Sequence, residues 1–393
     1  FDGMTLCSHP DTHRLHGGAT EASIIGQLFA GLYDPNLVWD DLSERVAEAE
    51  VEVAAICAGL IGFDPAKAAG VFTFGGSGTT LYGVKLGIEK AQPGAFQDGV
   101  RRPMRIFASE VAHYAKITAA AWLGLGADNV VEIKTDAASS MDLKAPERAL
   151  RAAIENEELI ACILATLGTT DAFGLDDVRA IVELRDALVK EYRLRYVPHV
   201  HADAVIGWAY AVFRDYDFTA NPLGIPEDGL RDIQAIQERV SGLELVDSAG
   251  LDFHKSGYAP YMSSLFLCRE EKELSLIARD KSEIPYLFQF GKYEPGVYTL
   301  ECSRSGGPVL RERARKTPHL VVASQGDHGC VVVLRPYPEG VDAAAAFAAE
   351  ASDPAKRKEL EAGNDYVRRV YMETRKLADQ GDGVVFVLTT ELR

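Results

Sequence analysis

Residues 71–91 read VFTFGGSGTTLYGVKLGIEKA. A short β-forming run meets the tetrad Gly75-Gly76-Ser77-Gly78, and beyond it Leu81, Val84, Lys85 and Ile88 recur at helical spacing. Strand, glycine turn and helix in that order make the repeating unit of an α/β fold, and the turn opens a helix N-terminus whose free N–H groups suit an anion. Ser77 and Thr79 add hydroxyl donors, and glycine lets a phosphate approach the backbone. No Gly-Lys-Ser/Thr follows and the spacing is not GxGxxG, so this is neither a Walker loop nor a dinucleotide fingerprint. A purely structural tight turn would look the same.

Working outward, the alternation continues. RIFAS (105–109), NVVEI (129–133), LIACILATLG (159–168) and YVPHVHAD (196–203) read as strands, separated by helical patterns at 113–125, 146–156 and 176–195. Upstream, 39–63 reads as one amphipathic helix. Downstream come a helix at 230–240, a strand at LELVD (243–247), a loop carrying HKSGY and a β-type run YMSSLFLC (261–268). A Pro- and Gly-punctuated stretch at 285–308 separates this from a terminal α+β region: CVVVLRPY (330–337), helices at 343–352 and 356–380, and VVFVLTT (384–390). The pattern predicts a mostly parallel sheet covered on both faces, divided as an N-terminal helical segment 1–63, a large domain 64–305 and a small C-terminal domain 306–393.

The bulk properties narrow the function. A net charge of −17 over 393 residues opposes binding to nucleic acid or anionic lipid. Nothing approaches the ~20 apolar residues of a membrane span. The six cysteines lie far apart, with no CxxC and no Cys/His cluster at metal spacing, which predicts a reducing, cytoplasmic setting and no metal site. Phe1 stands where an initiator Met would, so the native N-terminus is expected to lie upstream.

Four features carry chemistry. Beside the glycine turn, Asp203 ends a strand, where α/β sheets place ligands, and its carboxylate could hold a ring nitrogen protonated or simply cap a helix. Lys255, between Phe253 and Tyr258, could be a desolvated nucleophilic amine or an ordinary surface lysine. His113, after a strand, could stack on a flat ring or sit in solvent. Their order along the chain is what raises them above these plain readings.

In that order, the segments FGGSGTTLYGVKLGIEKA, SEVAHYAKITAAAWLGLG, LATLGTTDAFGLDDV, HVHADAVIGWAY and DFHKSGYAPYMSSLFLC resemble the group II amino-acid decarboxylases of the glutamate, aromatic-amino-acid and tyrosine type. The resemblance implies a fold-type-I enzyme dependent on pyridoxal 5′-phosphate (PLP) and a homodimer with a shared active site. It implies that Lys255 carries the cofactor as a Schiff base and His254 helps hold its phosphate with Ser77, Thr79 and the backbone of Gly76 and Gly78. Asp203 would pair with the ring nitrogen, His113 stack on the ring, Thr169 lie near its substituents, and Val205 pack against it where the family often has Ala. A loop tyrosine would return a proton to Cα, Tyr286 first, with Tyr293 and Tyr298 as alternatives, and Arg304 would bind the substrate carboxylate. Two departures stand out: sequence is expected to be missing at the join of Leu310 and Arg311 and beyond Arg393. A carbon–carbon lyase of the sphingosine-phosphate-lyase kind and a PLP-binding protein without turnover remain the alternatives.

Overall fold

The computed structural model describes residues 19–33, 36–43, 45–280, 283–284, 293–301, 320–322, 334–352 and 357–379. The chain divides into two units, one of residues 1–34 and 48–278, the other of 35–47 and 279–393. This places the division at 278/279, ahead of the boundary at 305 drawn from sequence.

The first unit is built on seven strands: β1 (Ala69–Thr73), β2 (Met104–Ser109), β3 (Val130–Ile133), β4 (Leu159–Thr166), β5 (His199–Asp203), β6 (Ser248–Asp252) and β7 (Ser264–Cys268). Their order is β1-β7-β6-β5-β4-β2-β3; β7 runs antiparallel to both neighbours and the other pairs are parallel. The run LIACILAT of β4 is buried at every position, as a central strand covered on both faces requires. Side chains alternate between two cores: Phe107 packs with Ile163 and Val182 on one face, Ile106 and Ala108 with Val84 and Ile88 on the other.

The helix Gly76–Ala91 lies close on the sheet because it has glycine at two facing positions. A Cβ at Gly83 would come within 2.5 Å of the His201 ring, and one at Gly87 within 2.1 Å of the Ala161 carbonyl oxygen. This approach sets the N-terminus of the helix at the end of the sheet where β5 and β6 finish. Gly75 precedes it at φ 96°, a conformation that favours glycine.

Within the helix foreseen over 39–63, Asp40–Ser43 and Arg45–Ile61 are helical among the described residues. One sequence expectation needs correction. The strand expected at LELVD is a 3₁₀ turn, Ser241–Leu245, and the strand is the next segment, SAGLD. Small residues are what that position demands: a Cβ on Gly250 would meet Thr79 Oγ1 at 2.2 Å. Leu243 and Val246, which suggested a strand, are buried from the turn that leads into it.

In the second unit, β8 (Leu320–Val322) and β9 (Leu334–Pro336) pair antiparallel, with helices Ala343–Ser352 and Arg357–Asp379 following. Arg335 ties them together, donating to Glu350 Oε2 at 2.7 Å and to Asn364 Oδ1 at 2.9 Å. No described helix is long and apolar enough to cross a membrane.

Candidate active site

At the C-terminal ends of β5 and β6 the first unit gathers side chains from four chain segments. Asp203 is the last residue of β5 and Asp252 the last of β6, with the glycine turn above them. Three residues past Asp252, Lys255 turns back so that its Nζ lies 2.9 Å from Asp252 Oδ2. His254 Nε2 lies 3.4 Å from the same oxygen, and Ser264 Oγ donates to the other, Oδ1, at 2.6 Å. His254 Nδ1 lies 3.0 Å from the Ser263 carbonyl oxygen and 3.2 Å from the Ser263 backbone nitrogen, which holds the ring with Nε2 toward the carboxylate.

Asp252 was not singled out from sequence, and it is the hub of this cluster. Its side chain is 1% exposed, and its backbone is pinned on both sides: Asp252 N–H donates to the Val205 carbonyl and Trp208 Nε1–H to the Asp252 carbonyl. Phe253 packs against Phe72 and Trp208, whereas Tyr258 is largely exposed, so the shielding of Lys255 does not come from Tyr258.

Asp203 is held differently. Burial pushes its carboxyl up to about 6, and the charge of Asp252 adds to that, while the Lys255 ammonium and the Val205 N–H oppose it. Its Oδ1 is buried without a hydrogen-bond partner among the described residues, and so is Thr166 Oγ1. An orphaned carboxylate oxygen costs free energy unless a donor or cation meets it.

His113 is half-buried and accepts the Ala115 N–H on Nδ1 at 3.2 Å, so its neutral ring carries the proton on Nε2. Burial lowers its pKa, the Lys255 charge lowers it further, and Asp252 partly offsets both. His113, Asp203 and Asp252 thus share the field of Lys255, although they come from separate parts of the chain.

The glycine turn is a cradle that a side chain would fill. A Cβ on Gly76 would meet Val205 Cγ1 at 2.9 Å and Asp252 Oδ2 at 3.2 Å; a Cβ on Gly78 would meet Thr73 Oγ1 at 2.5 Å. Ser77 is exposed on the turn. Thr79, offered by the sequence as a donor to an anion, is fully buried, and its hydroxyl donates to the Gly76 carbonyl at 2.8 Å. Its proton is committed to the first turn of its own helix, which corrects that reading.

Thr169 is buried in a tight turn, its Oγ1 accepting the Gly174 N–H at 2.8 Å. Nearby, Asp176 accepts from the Thr166 N–H at 2.7 Å and the Met141 N–H at 2.8 Å, fixing the end of β4. Tyr293 and Tyr298 belong to the second unit, where the Asp40 N–H donates to the Tyr293 carbonyl at 2.9 Å and the Tyr293 N–H to Asp40 Oδ2 at 3.2 Å. Tyr286, Arg304 and the join at Leu310 and Arg311 lie outside the described residues.

The arrangement offers a buried anion for a cationic ring nitrogen, a histidine beside it, an amine, and a glycine cradle for an anionic group. Comparison with known proteins agrees with this chemistry. Residues 2–214 match the pyridoxal-dependent decarboxylase conserved domain. An L-tyrosine decarboxylase of Enterococcus faecalis is 27% identical over 216 residues, covering 50% of this chain and 33% of that protein. An acidic amino acid decarboxylase of Xenopus tropicalis is 27% identical over 308 residues, 76% of this chain and 54% of that protein. Among solved structures, Oryza sativa TDC with PLP and tryptamine has a TM-score of 0.63 at 17% identity, covering 99% of this chain and 79% of that one. The chain therefore spans from a third to about half of the length of these two curated relatives.

Proposed function

The chain belongs to the pyridoxal-dependent decarboxylase family, and from that membership we propose that it binds PLP and removes CO2 from an L-amino acid. The observation that carries this reading is Asp203: a buried carboxylate oxygen with no partner among the described residues, in the field of an amine from a separate loop. When bound, PLP supplies an electron sink for the pair left on Cα by the departing carboxylate.

The residues fit that group. Gly76, Ser77 and Gly78 would hold its phosphate in the cradle, where the helix N-terminus favours negative charge. Asp203 Oδ1 would accept a hydrogen bond from the protonated ring nitrogen, which turns a costly orphan into a buried ion pair and keeps the ring cationic. Val205 and His113 would bracket the ring; His113, held neutral, offers its Nε2–H to a substrate carboxylate rather than a second positive charge. Lys255 would carry the cofactor through Nζ and give it up to the substrate amine. Thr169, in its tight turn, would lie near the ring substituents, and Thr166 Oγ1, paired in register with Asp203, would offer them a further hydrogen bond. His254 would support the phosphate side from its place against Asp252. Tyr286 is the proposed proton donor to Cα and Arg304 the ligand of the substrate carboxylate.

We also propose a cytoplasmic homodimer. Cys57, Cys162 and Cys268 are free and buried, which suits a reducing compartment, and the apolar helix Glu21–Tyr33 exposes Ile24, Ile25 and Leu28 to a partner. Incubation with a panel of L-amino acids, reading CO2 and amine release, tests the activity. Release from at least one member is expected; PLP binding with no CO2 from any member would overturn it.

A further inference from the structure

We propose that Asp252 is the positioning residue of Lys255: its carboxylate parks the amine whenever that amine is free, before the cofactor binds and after a substrate amine has displaced it. The inference rests on the reading of Lys255 as the amine that carries the cofactor.

Three observations carry it. The pair is close and the acid is buried: Lys255 Nζ lies 2.9 Å from Asp252 Oδ2, with the lysine side chain 19% and the aspartate 1% exposed. Charge-assisted hydrogen bonds of this kind, shielded from water, are the strong ones. The acid is also immobile. It ends β6, its register partner across the antiparallel β6–β7 pair is Ser264, and that same serine donates to Oδ1. With Val205 and Trp208 pinning its backbone, the carboxylate has one orientation, and Oδ2 is the oxygen left to face the site.

Position completes the argument. Oδ2 lies 3.2 Å from where a Gly76 side chain would begin, so it borders the cradle. A lysine parked there stays beside the cradle and does not close on Asp203, whose oxygen is left for the ring nitrogen. The negative charge next to an anion cradle would otherwise be adverse; the Lys255 ammonium offsets it. Asp252 touches neither reacting bond in this account and acts through Lys255 alone.

The test is lysine reactivity in the full chain stripped of cofactor. Reductive methylation at fixed pH, quantified by peptide mass spectrometry, gives the labelling rate of Lys255, with exposed Lys144 as reference and buried Lys116 as the control for loosening. In Asp252→Asn the Lys255 rate should rise roughly tenfold relative to Lys144 while Lys116 stays unchanged. Ser264→Ala, which removes only the bond that orients the carboxylate, should give a smaller rise of about threefold. An unchanged Lys255 rate in either folded variant, or a rise matched at Lys116, overturns the assignment. If Asp252→Asn does not fold, the Ser264→Ala result decides alone. Mapping the cofactor to a different lysine would refute the underlying reading without altering the labelling result, so the two failures are distinguishable.

Discussion

Thr166 and Asp203 stand opposite each other in the register of β4 and β5, and each carries a buried oxygen with no hydrogen-bond partner among the described residues. Adjacent orphaned oxygens at the C-terminal edge of a parallel sheet are a site prepared for donors that the polypeptide does not itself supply. The chain bears that cost in the absence of a ligand, and the cost is measurable.

Asp203 gives the first prediction. Its carboxyl rises from the ordinary 3.8 to about 6, so the folded state holds this proton more tightly than the unfolded state. Stability is therefore reduced above about pH 6 and the reduction vanishes below the unfolded pKa. Asp203→Asn should stabilise the cofactor-free protein by on the order of 2 kcal/mol near pH 8 and by nothing near pH 3.5. Urea unfolding at the two pH values checks this. The same variant, loaded with PLP, should lose at least about a hundredfold in kcat.

The cradle gives the second. Gly76→Ala would drive a methyl group to 2.9 Å from Val205 Cγ1 and 3.2 Å from Asp252 Oδ2. The fold should lose about 1–3 kcal/mol from overpacking. PLP affinity, read by absorbance titration, should fall by tenfold or more, the equivalent of about 1.4 kcal/mol.

His113 gives the third. His113→Phe keeps a flat ring but removes the Nε2–H, so PLP retention after dialysis should match the parent while kcat falls by roughly 10²-fold or more. Equal loss of retention and rate would instead make His113 a cofactor-binding group only.

A fourth concerns a buried network away from the cluster. Ser248 Oγ lies 2.8 Å from both His199 Nε2 and His201 Nδ1, beneath the helix Gly76–Ala91. Burial lowers the His201 pKa to about 3 and holds His199 well below the ordinary 6.5. Both rings are neutral when folded, so their contribution is fully present above pH 6.5 and is lost as pH falls toward the folded values. His201→Asn should remove one proton from acid unfolding, lessening the fall in stability between about pH 6 and pH 4 by up to about 1.4 kcal/mol per pH unit.

Much of this was legible in the sequence, for physical reasons. The continuous apolar run of β4, the glycine turn and the strand-end Asp203 each have a local signature: burial on both faces, positive φ, and a carboxylate where an apolar strand stops. What could not be read depends on packing between distant segments. SAGLD does not look like a strand, because its small residues are dictated by Thr79 on the overlying helix. The role of Asp252 is set by Ser264, twelve residues on across an antiparallel pair, and by the return of Lys255. An acid three residues before a lysine was the available signal, and by itself it resembles any surface ion pair. The hydroxyl of Thr79 misled for the same reason, since its partner is the backbone of Gly76.

The central claim is that Lys255 is the amine that carries the cofactor. Reduction of the PLP-loaded protein with borohydride, followed by digestion and peptide mapping, tests it directly. The account predicts a pyridoxyl label on the peptide containing Asp252-Phe253-His254-Lys255, at Lys255. A label at any other lysine would contradict it.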